Sequence, residues 1–177
     1  MPRTTMVVVL VMVGAMLLAT VAGVAWAKTF TCAPGSTQQN PCEGTRKADT
    51  ITGTTGEDYI IAKRGSDTVN SLAQADIVYG SKGADTIDGG ADTDFLYGGA
   101  GNDTIDGGPN DDQVYGGSGD DFLLEDNFGS DVDTVYGGPG DDLIDVRDGD
   151  GSDLVCDQEG KNTIIKDSGD TVNSPDC

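Results

Sequence analysis

Residues Gly80–Leu124 read as five consecutive nine-residue blocks, GSKGADTID, GGADTDFLY, GGAGNDTID, GGPNDDQVY and GGSGDDFLL. Each follows GGxGxDxUx with U aliphatic, and the register holds without an insertion. A short motif repeated in this way builds a stack, because one unit cannot bury its apolar residue alone and must borrow its neighbour's surface.

The register extends back to Gly44. Units begin at Gly44, Gly53, Ala62, Ser71, Gly80, Gly89, Gly98, Gly107 and Gly116. Their sixth residue is always acidic: Asp49, Asp58, Asp67, Asp76, Asp85, Asp94, Asp103, Asp112 and Asp121. Their eighth is always aliphatic: Ile51, Ile60, Val69, Val78, Ile87, Leu96, Ile105, Val114 and Leu123. Glu125 to Asn127 then read as a three-residue insertion, after which units resume at Phe128 and Gly137 with Asp133 and Asp142. Val146 and Arg147 read as a second insertion before a unit with Asp153 and Val155. Beyond it the pattern decays, with Asn162 in place of the acid and a short last unit around Asp170, as expected of a cap.

A second period lies inside the first. Position nine is Tyr79, Tyr97, Tyr115 and Tyr136 in alternate units, against Asp88, Asp106 and Asp145 in the others. Position four alternates too, with Gly83, Gly101, Gly119 and Gly140 set against Asp92, Asn110 and Asp131. The coil is therefore eighteen residues, two units, and contributes one short strand to each of two facing parallel sheets. Within a unit, GGxGxD makes the turn and the last three residues make the strand. Glycine allows the positive φ of such a turn, and Asn and Asp tolerate the left-handed region best among the rest.

The acidic position points to a metal. Parallel strands stand about 4.8 Å apart, so equivalent Asp residues eighteen positions apart form ladders of like charge. One ladder is Asp49, Asp67, Asp85, Asp103, Asp121 and Asp142; the other is Asp58, Asp76, Asp94, Asp112, Asp133 and Asp153. Each neighbouring pair repels by about 0.9 kcal/mol in bulk water and several-fold more in a poorer dielectric. A divalent ion between turns reverses the sign. Carboxylates with backbone carbonyls of turn glycines (Gly80, Gly89, Gly98, Gly107, Gly116, Gly137) form an all-oxygen donor set that suits calcium. About five to ten ions fit two edges of stacked turns. One buried aliphatic per nine residues is a thin core, so folding coupled to metal is expected.

The chain ends set the context. Arg3, the apolar run Met6 to Val24 and Ala25-Trp26-Ala27 fit a cleaved export signal over residues 1–27, with an uncleaved membrane anchor as the alternative. Loss of Arg3 leaves nine basic against 31 acidic residues, a net charge of −22 that argues against nucleic acid as a partner. There is no His, which removes the commonest general base and transition-metal ligand. Four cysteines in an exported chain point to disulfides. Of three pairings, Cys32–Cys42 and Cys156–Cys177 close a local loop at each end of the array. The expected layout is a cap over 28–43, the repeats over 44–156 and a degenerate cap over 157–177, in a secreted chain.

These units resemble the RTX, or haemolysin-type calcium-binding, repeat family over about Gly44 to Cys156. The resemblance implies an all-β, right-handed parallel β-roll with calcium held between turns by the Asp and Gly positions named above, and an extracellular setting in which calcium triggers folding. The units beginning at Ala62 and Ser71 depart from it, lacking consensus glycines at Ala62, Ser71 and Gln74, so calcium sites are less expected there. The chain also has no room for the catalytic, toxin or adhesin domain that typical large members carry beside their repeats.

With position eight inward, positions seven and nine face outward. All five tyrosines fall on one sheet, joined by Ile61, Ile77 and Phe95. An aromatic ladder that stabilises neighbouring strands accounts for this. The competing account is a contact strip through Tyr79, Tyr97, Tyr115 and Tyr136 for a glycan, a cell surface or a second copy. The other face carries Thr50, Thr68, Thr86 and Thr104, which the strand propensity of Thr explains better than ice binding does, since Asp88 and Asp106 interrupt the ribbon. Catalysis is disfavoured, because acid and base roles need carboxylates in unlike environments and these repeat alike. A non-catalytic structural or binding module is the expectation.

Overall fold

The computed structural model describes residues 28–125, 131–149, 152–156 and 160–172. The chain winds through two parallel sheets of eight strands each, alternate strands going to opposite sheets. One sheet runs from Thr29–Thr31 through Thr50–Thr52, Thr68–Asn70, Thr86–Asp88, Thr104–Asp106, Phe122–Leu124 and Leu143–Val146 to Thr163–Lys166. The other runs from Cys42–Glu43 through Tyr59–Arg64, Ile77–Lys82, Phe95–Ala100, Gln113–Ser118, Thr134–Tyr136 and Leu154–Cys156 to Thr171–Val172. This is a parallel β-roll.

Register follows the eighteen-residue coil. Ile51, Val69, Ile87, Ile105, Leu123 and Ile144 stack in one sheet, and Ile60, Val78, Leu96, Val114, Val135 and Val155 in the other. All twelve are at most 1% exposed. The core is thus two rows of eighth-position aliphatics facing each other, one side chain deep, with turns on both edges.

The strands are less uniform than expected. On the tyrosine sheet four of them are six residues long and run on through positions one to three of the next unit. The alternation at position four explains this. Gly65, Gly83, Gly101 and Gly119, which close the turns after these strands, have φ of 128–138°, and a Cβ on Gly83 would run into the Gly65 carbonyl of the coil before. At the opposite edge Gln74, Asp92 and Asn110 hold the same position at φ 71–91°, the left-handed region, in tighter turns after three-residue strands. The missing glycines at Ala62, Ser71 and Gln74 do not break the stack. Ala62 and Ser71 are fully buried, and the Ser71 hydroxyl donates to the Gly89 carbonyl at 2.7 Å.

Both ends continue the sheets. Phe30 pairs with Ile51, Cys42 pairs with Ile60, and a disulfide joins Cys32 to Cys42 across the first coil. At the far end Ile164 pairs with Ile144 and Val172 with Val155. Val146, read as part of an insertion, extends its strand and is fully buried. Cys156 is disulfide-bonded; Cys177, its expected partner, lies outside the described residues, as does the expected export signal. No helix among the described residues is long and apolar enough to cross a membrane.

Outward positions arrange as the register dictates. Tyr79, Tyr97, Tyr115 and Tyr136 stack with ring centroids 4.5–4.8 Å apart and planes within 9° of parallel. Tyr59 sits at position seven rather than nine and meets Tyr79 tilted by 47°. Thr50, Thr68, Thr86 and Thr104 align, exposed, on the opposite sheet.

Candidate metal centre

Each sixth-position Asp lies where the turn meets the strand, and the stack turns its side chain inward. Asp49, Asp58, Asp67, Asp76, Asp85, Asp94, Asp103, Asp112, Asp121, Asp133, Asp142 and Asp153 are all at most 3% exposed. One carboxylate oxygen has the same task throughout. The Asp85 N–H donates to Asp103 Oδ1 of the next coil at 2.8 Å, and the Asp103 N–H to Asp121 Oδ1 at 2.8 Å. The same bond links Asp49 to Asp67, Asp67 to Asp85 and Asp121 to Asp142 along one edge. Along the other it links Asp58, Asp76, Asp94, Asp112, Asp133 and Asp153 in turn, all within 2.6–2.9 Å on both edges. The two ladders are those expected from the eighteen-residue period. In the decayed last units Asn162 and Asp170 accept the equivalent bond.

The second oxygen divides the molecule. In Asp67, Asp76, Asp85, Asp94, Asp103, Asp112, Asp121, Asp133 and Asp142 the Oδ2 atom is buried and has no hydrogen-bond donor. A buried carboxylate oxygen with no partner costs several kcal/mol or more, so nine in two rows call for a counter-charge or a proton. The glycines show where it fits. A methyl group on Gly98 would lie 2.5 Å from Asp103 Oδ2 and 2.6 Å from the Gly116 carbonyl oxygen. On Gly80 it would lie 2.6 Å from Asp85 Oδ2 and 2.7 Å from the Gly98 oxygen; on Gly116, 2.5 Å from Asp121 Oδ2 and 2.8 Å from the Gly137 oxygen. On Gly89 it would meet the Gly107 oxygen at 2.5 Å and Asp94 Oδ2 at 2.9 Å. Carboxylate and carbonyl oxygens of successive coils converge on a space that a side chain would fill. An all-oxygen set at such spacings fits a hard divalent cation of calcium's size.

Asp49 and Asp58 are different. Asp49 Oδ2 accepts from the Thr45 N–H at 2.6 Å and the Thr45 hydroxyl at 2.8 Å, while its Oδ1 accepts from the Lys28 N–H. Asp58 Oδ2 accepts from the Thr54 N–H at 2.5 Å, and its Oδ1 from the Ser36 hydroxyl. The protein itself supplies what the other ladder members lack.

Burial pushes the carboxyls upward: Asp67 and Asp121 to about 6, Asp94, Asp103 and Asp133 to about 7, Asp76 to about 8 and Asp112 to about 9. In each the hydrogen bond from the neighbouring coil's N–H works against burial, and nearby Asp charges add to it. Asp85 and Asp142 are raised for the same leading reason.

One residue at this site was missed in the sequence. Glu125, read as the start of an insertion, keeps the register: its N–H donates to the Asp145 carbonyl at 2.8 Å, and its side chain turns in beneath Gly107. It is fully buried, and desolvation followed by the charges of Asp133 and Asp112 raises its carboxyl far above the usual range. The available signal was its place, directly after an eighth- and ninth-position pair where every central unit carries glycine.

A parallel β-roll with two rows of inward carboxylates on glycine turns defines a cation-binding repeat protein. The chain belongs to the RTX calcium-binding nonapeptide repeat family, whose four-copy description matches residues 43–78, 63–96, 72–105, 88–123 and 129–155. No curated protein and no solved structure gives a match. Family and fold together make this a calcium-binding structural module.

Proposed function

We propose that the protein is a secreted, non-catalytic module that folds with its calcium ions and serves as a rigid extracellular element. The observation that carries the reading is the double row of buried Oδ2 atoms without donors, from Asp67 to Asp142. The ligands would be these carboxylates together with the carbonyls of Gly98, Gly107, Gly116 and Gly137, on turns that begin at Gly80, Gly89, Gly98 and Gly116. Asp153 would close its edge of the array. Bound calcium supplies the positive charge that lets carboxylates stack at coil spacing. The chain supplies the rest: the N–H to Oδ1 ladder fixes each carboxylate, the glycines leave the space open, and the aliphatic rows hold successive turns in register. Residues 1–27 would be removed on export, and the end coils over 28–43 and 157–177 would cap an array of about five to ten ions.

Far-UV circular dichroism of residues 28–177 with disulfides intact, titrated with calcium from chelator to several millimolar, tests this. A cooperative gain of β signal that magnesium does not produce is the expected result. Full β signal in chelator at neutral pH would overturn it.

A second reading rests on the tyrosine stack. Four half-buried rings, parallel within 9°, stack along one sheet and present a regular row of ring edges, a repeating strip on which a glycan, a cell surface or a second copy could seat. Retention on a glycan or cell-wall column, or self-association in sedimentation, that Tyr97→Ala abolishes while calcium-dependent folding persists would support it. Identical behaviour of wild type and Tyr97→Ala would leave the strip as strand-stabilising only.

A further inference from the structure

Glu125 sets one point of the roll apart from the repeats. It is 0% exposed, and neither of its oxygens has a hydrogen-bond donor. Asp112 and Asp133, from successive coils of the same edge, each bring an unpartnered buried Oδ2 beside it. Ligand oxygens from the three residues lie within 4.8 Å of one another. The ion pairs Lys63–Glu43 and Arg147–Asp145 involve none of these three residues.

Three buried carboxylates therefore converge, and between them they carry four oxygens with no hydrogen-bond partner. A single proton bridges at most two carboxylates, whereas one cation can be shared by all three. Opposite oxygens around an ion with ligand distances of about 2.3–2.6 Å stand roughly 4.6–5.2 Å apart, which accommodates the observed spacing. The set is all oxygen, which favours a hard cation over zinc or copper. At Gly80, Gly89, Gly98 and Gly116 a glycine occupies the place of Glu125, and the oxygens at each cradle are one Asp oxygen and a carbonyl. Affinity of oxygen sites rises with the number of charged ligands.

We propose that Asp112, Glu125 and Asp133 form a separate three-carboxylate site that holds one calcium-class divalent ion more tightly than the repeat turns do. The proposal rests on the calcium reading above. It makes the coil at Glu125 the last to release its ion as free calcium falls.

The test counts ions. Calcium-loaded chain is equilibrated against a series of chelator-buffered calcium concentrations and its metal content measured by mass spectrometry. Wild type is expected to keep one ion per chain after the others have left. Glu125→Gln and Glu125→Gly should lose that last ion at a free calcium at least about tenfold higher. Glu125→Gly installs the residue that neighbouring units carry, so dichroism at millimolar calcium should match wild type even where Glu125→Gln folds poorly. Asp103→Asn, a change in a repeat turn, should leave the last ion in place.

Equal retention by wild type and a folded Glu125→Gly, as a protonated Glu125 would give, overturns the proposal. So does a single class of sites in wild type, whatever the variants do. Both results leave the calcium reading standing. Wild type that binds no calcium at any concentration overturns the two together.

Discussion

The first coil and the central coils use the same residue in the same place for different ends. Asp49 and Asp103 are both sixth-position acids, both buried, and members of the same ladder. At Asp49 the second oxygen is held by the backbone and hydroxyl of Thr45, whereas at Asp103 it has no protein donor. Position two decides part of this: Thr45 and Thr54 in the first two units, Gly99 and Gly117 in the centre. The upstream segment holds the other oxygen, with the Lys28 N–H on Asp49 Oδ1 and the Ser36 hydroxyl on Asp58 Oδ1. On the proposed reading, in which the central coils fold with calcium, the first coils turn a ligand position into an internally bonded cap.

The largest effect expected from this difference is the response to calcium removal. Near the midpoint of a calcium titration at neutral pH, hydrogen exchange should quicken by about a hundredfold at the amides of Asp85, Asp94 and Asp103, the change expected when local stability falls by about 2.7 kcal/mol. The amides of Ile51 and Ile60 should quicken less. Uniform exchange along the chain would erase the contrast.

Acid should substitute for calcium in the centre. The folded-state carboxyls lie at about 6 to 9, from Asp67 and Asp121 up to Asp112, against an ordinary 3.8. A raised value means that the folded state binds protons more readily than the unfolded one. Its stabilising share is complete below about pH 4 and is lost as pH climbs through the range from 6 to 9. In chelator, then, β signal should grow as pH is lowered from 9 towards 5. Calcium should abolish that dependence, and a metal-free chain that is most folded at pH 9 would contradict the reading.

Single substitutions sharpen the contrast further. Asp103→Asn should raise the calcium needed for half-folding by about tenfold, since it removes a charged ligand oxygen. Asp49→Asn should shift that midpoint by no more than about twofold while lowering Tm by a few degrees, the effect of weakening hydrogen bonds worth about 1 kcal/mol. The smallest effect belongs to Leu72, a leucine at φ +86° that is 37% exposed. Leu72→Gly should stabilise the chain by roughly 0.5–1 kcal/mol, by relieving a conformation that costs a non-glycine residue about 1–2 kcal/mol.

Much of this was legible because the repeat is strict. The eighteen-residue period, both Asp ladders, the twelve core aliphatics and the tyrosine sheet follow from register alone, since strand pairing repeats whatever each unit contains. What escaped depends on contacts that the repeat does not encode. Ser36 reaches Asp58 from twenty-two residues upstream, outside the pattern. Glu125 looked like the first residue of an insertion because a charge at a glycine position breaks the motif, yet its backbone continues the stack. The six-residue strands were hidden because they run on through position two at positive φ, at Lys63, Ser81, Gly99 and Gly117, a conformation that the motif reads as a turn.

The stacked tyrosines have an optical consequence. Trp26, the only tryptophan, lies within the segment expected to be removed, so the near-ultraviolet absorption of the exported chain would come chiefly from tyrosine. Four rings held 4.5–4.8 Å apart in a chiral fold are close enough for their transitions to couple. Such coupling gives a chiral signal that depends on how many neighbouring rings are in line. Assembly of the central coils can therefore be followed without a label, and a break in the stack would separate from loss of the fold as a change in near-ultraviolet band shape at constant far-ultraviolet signal.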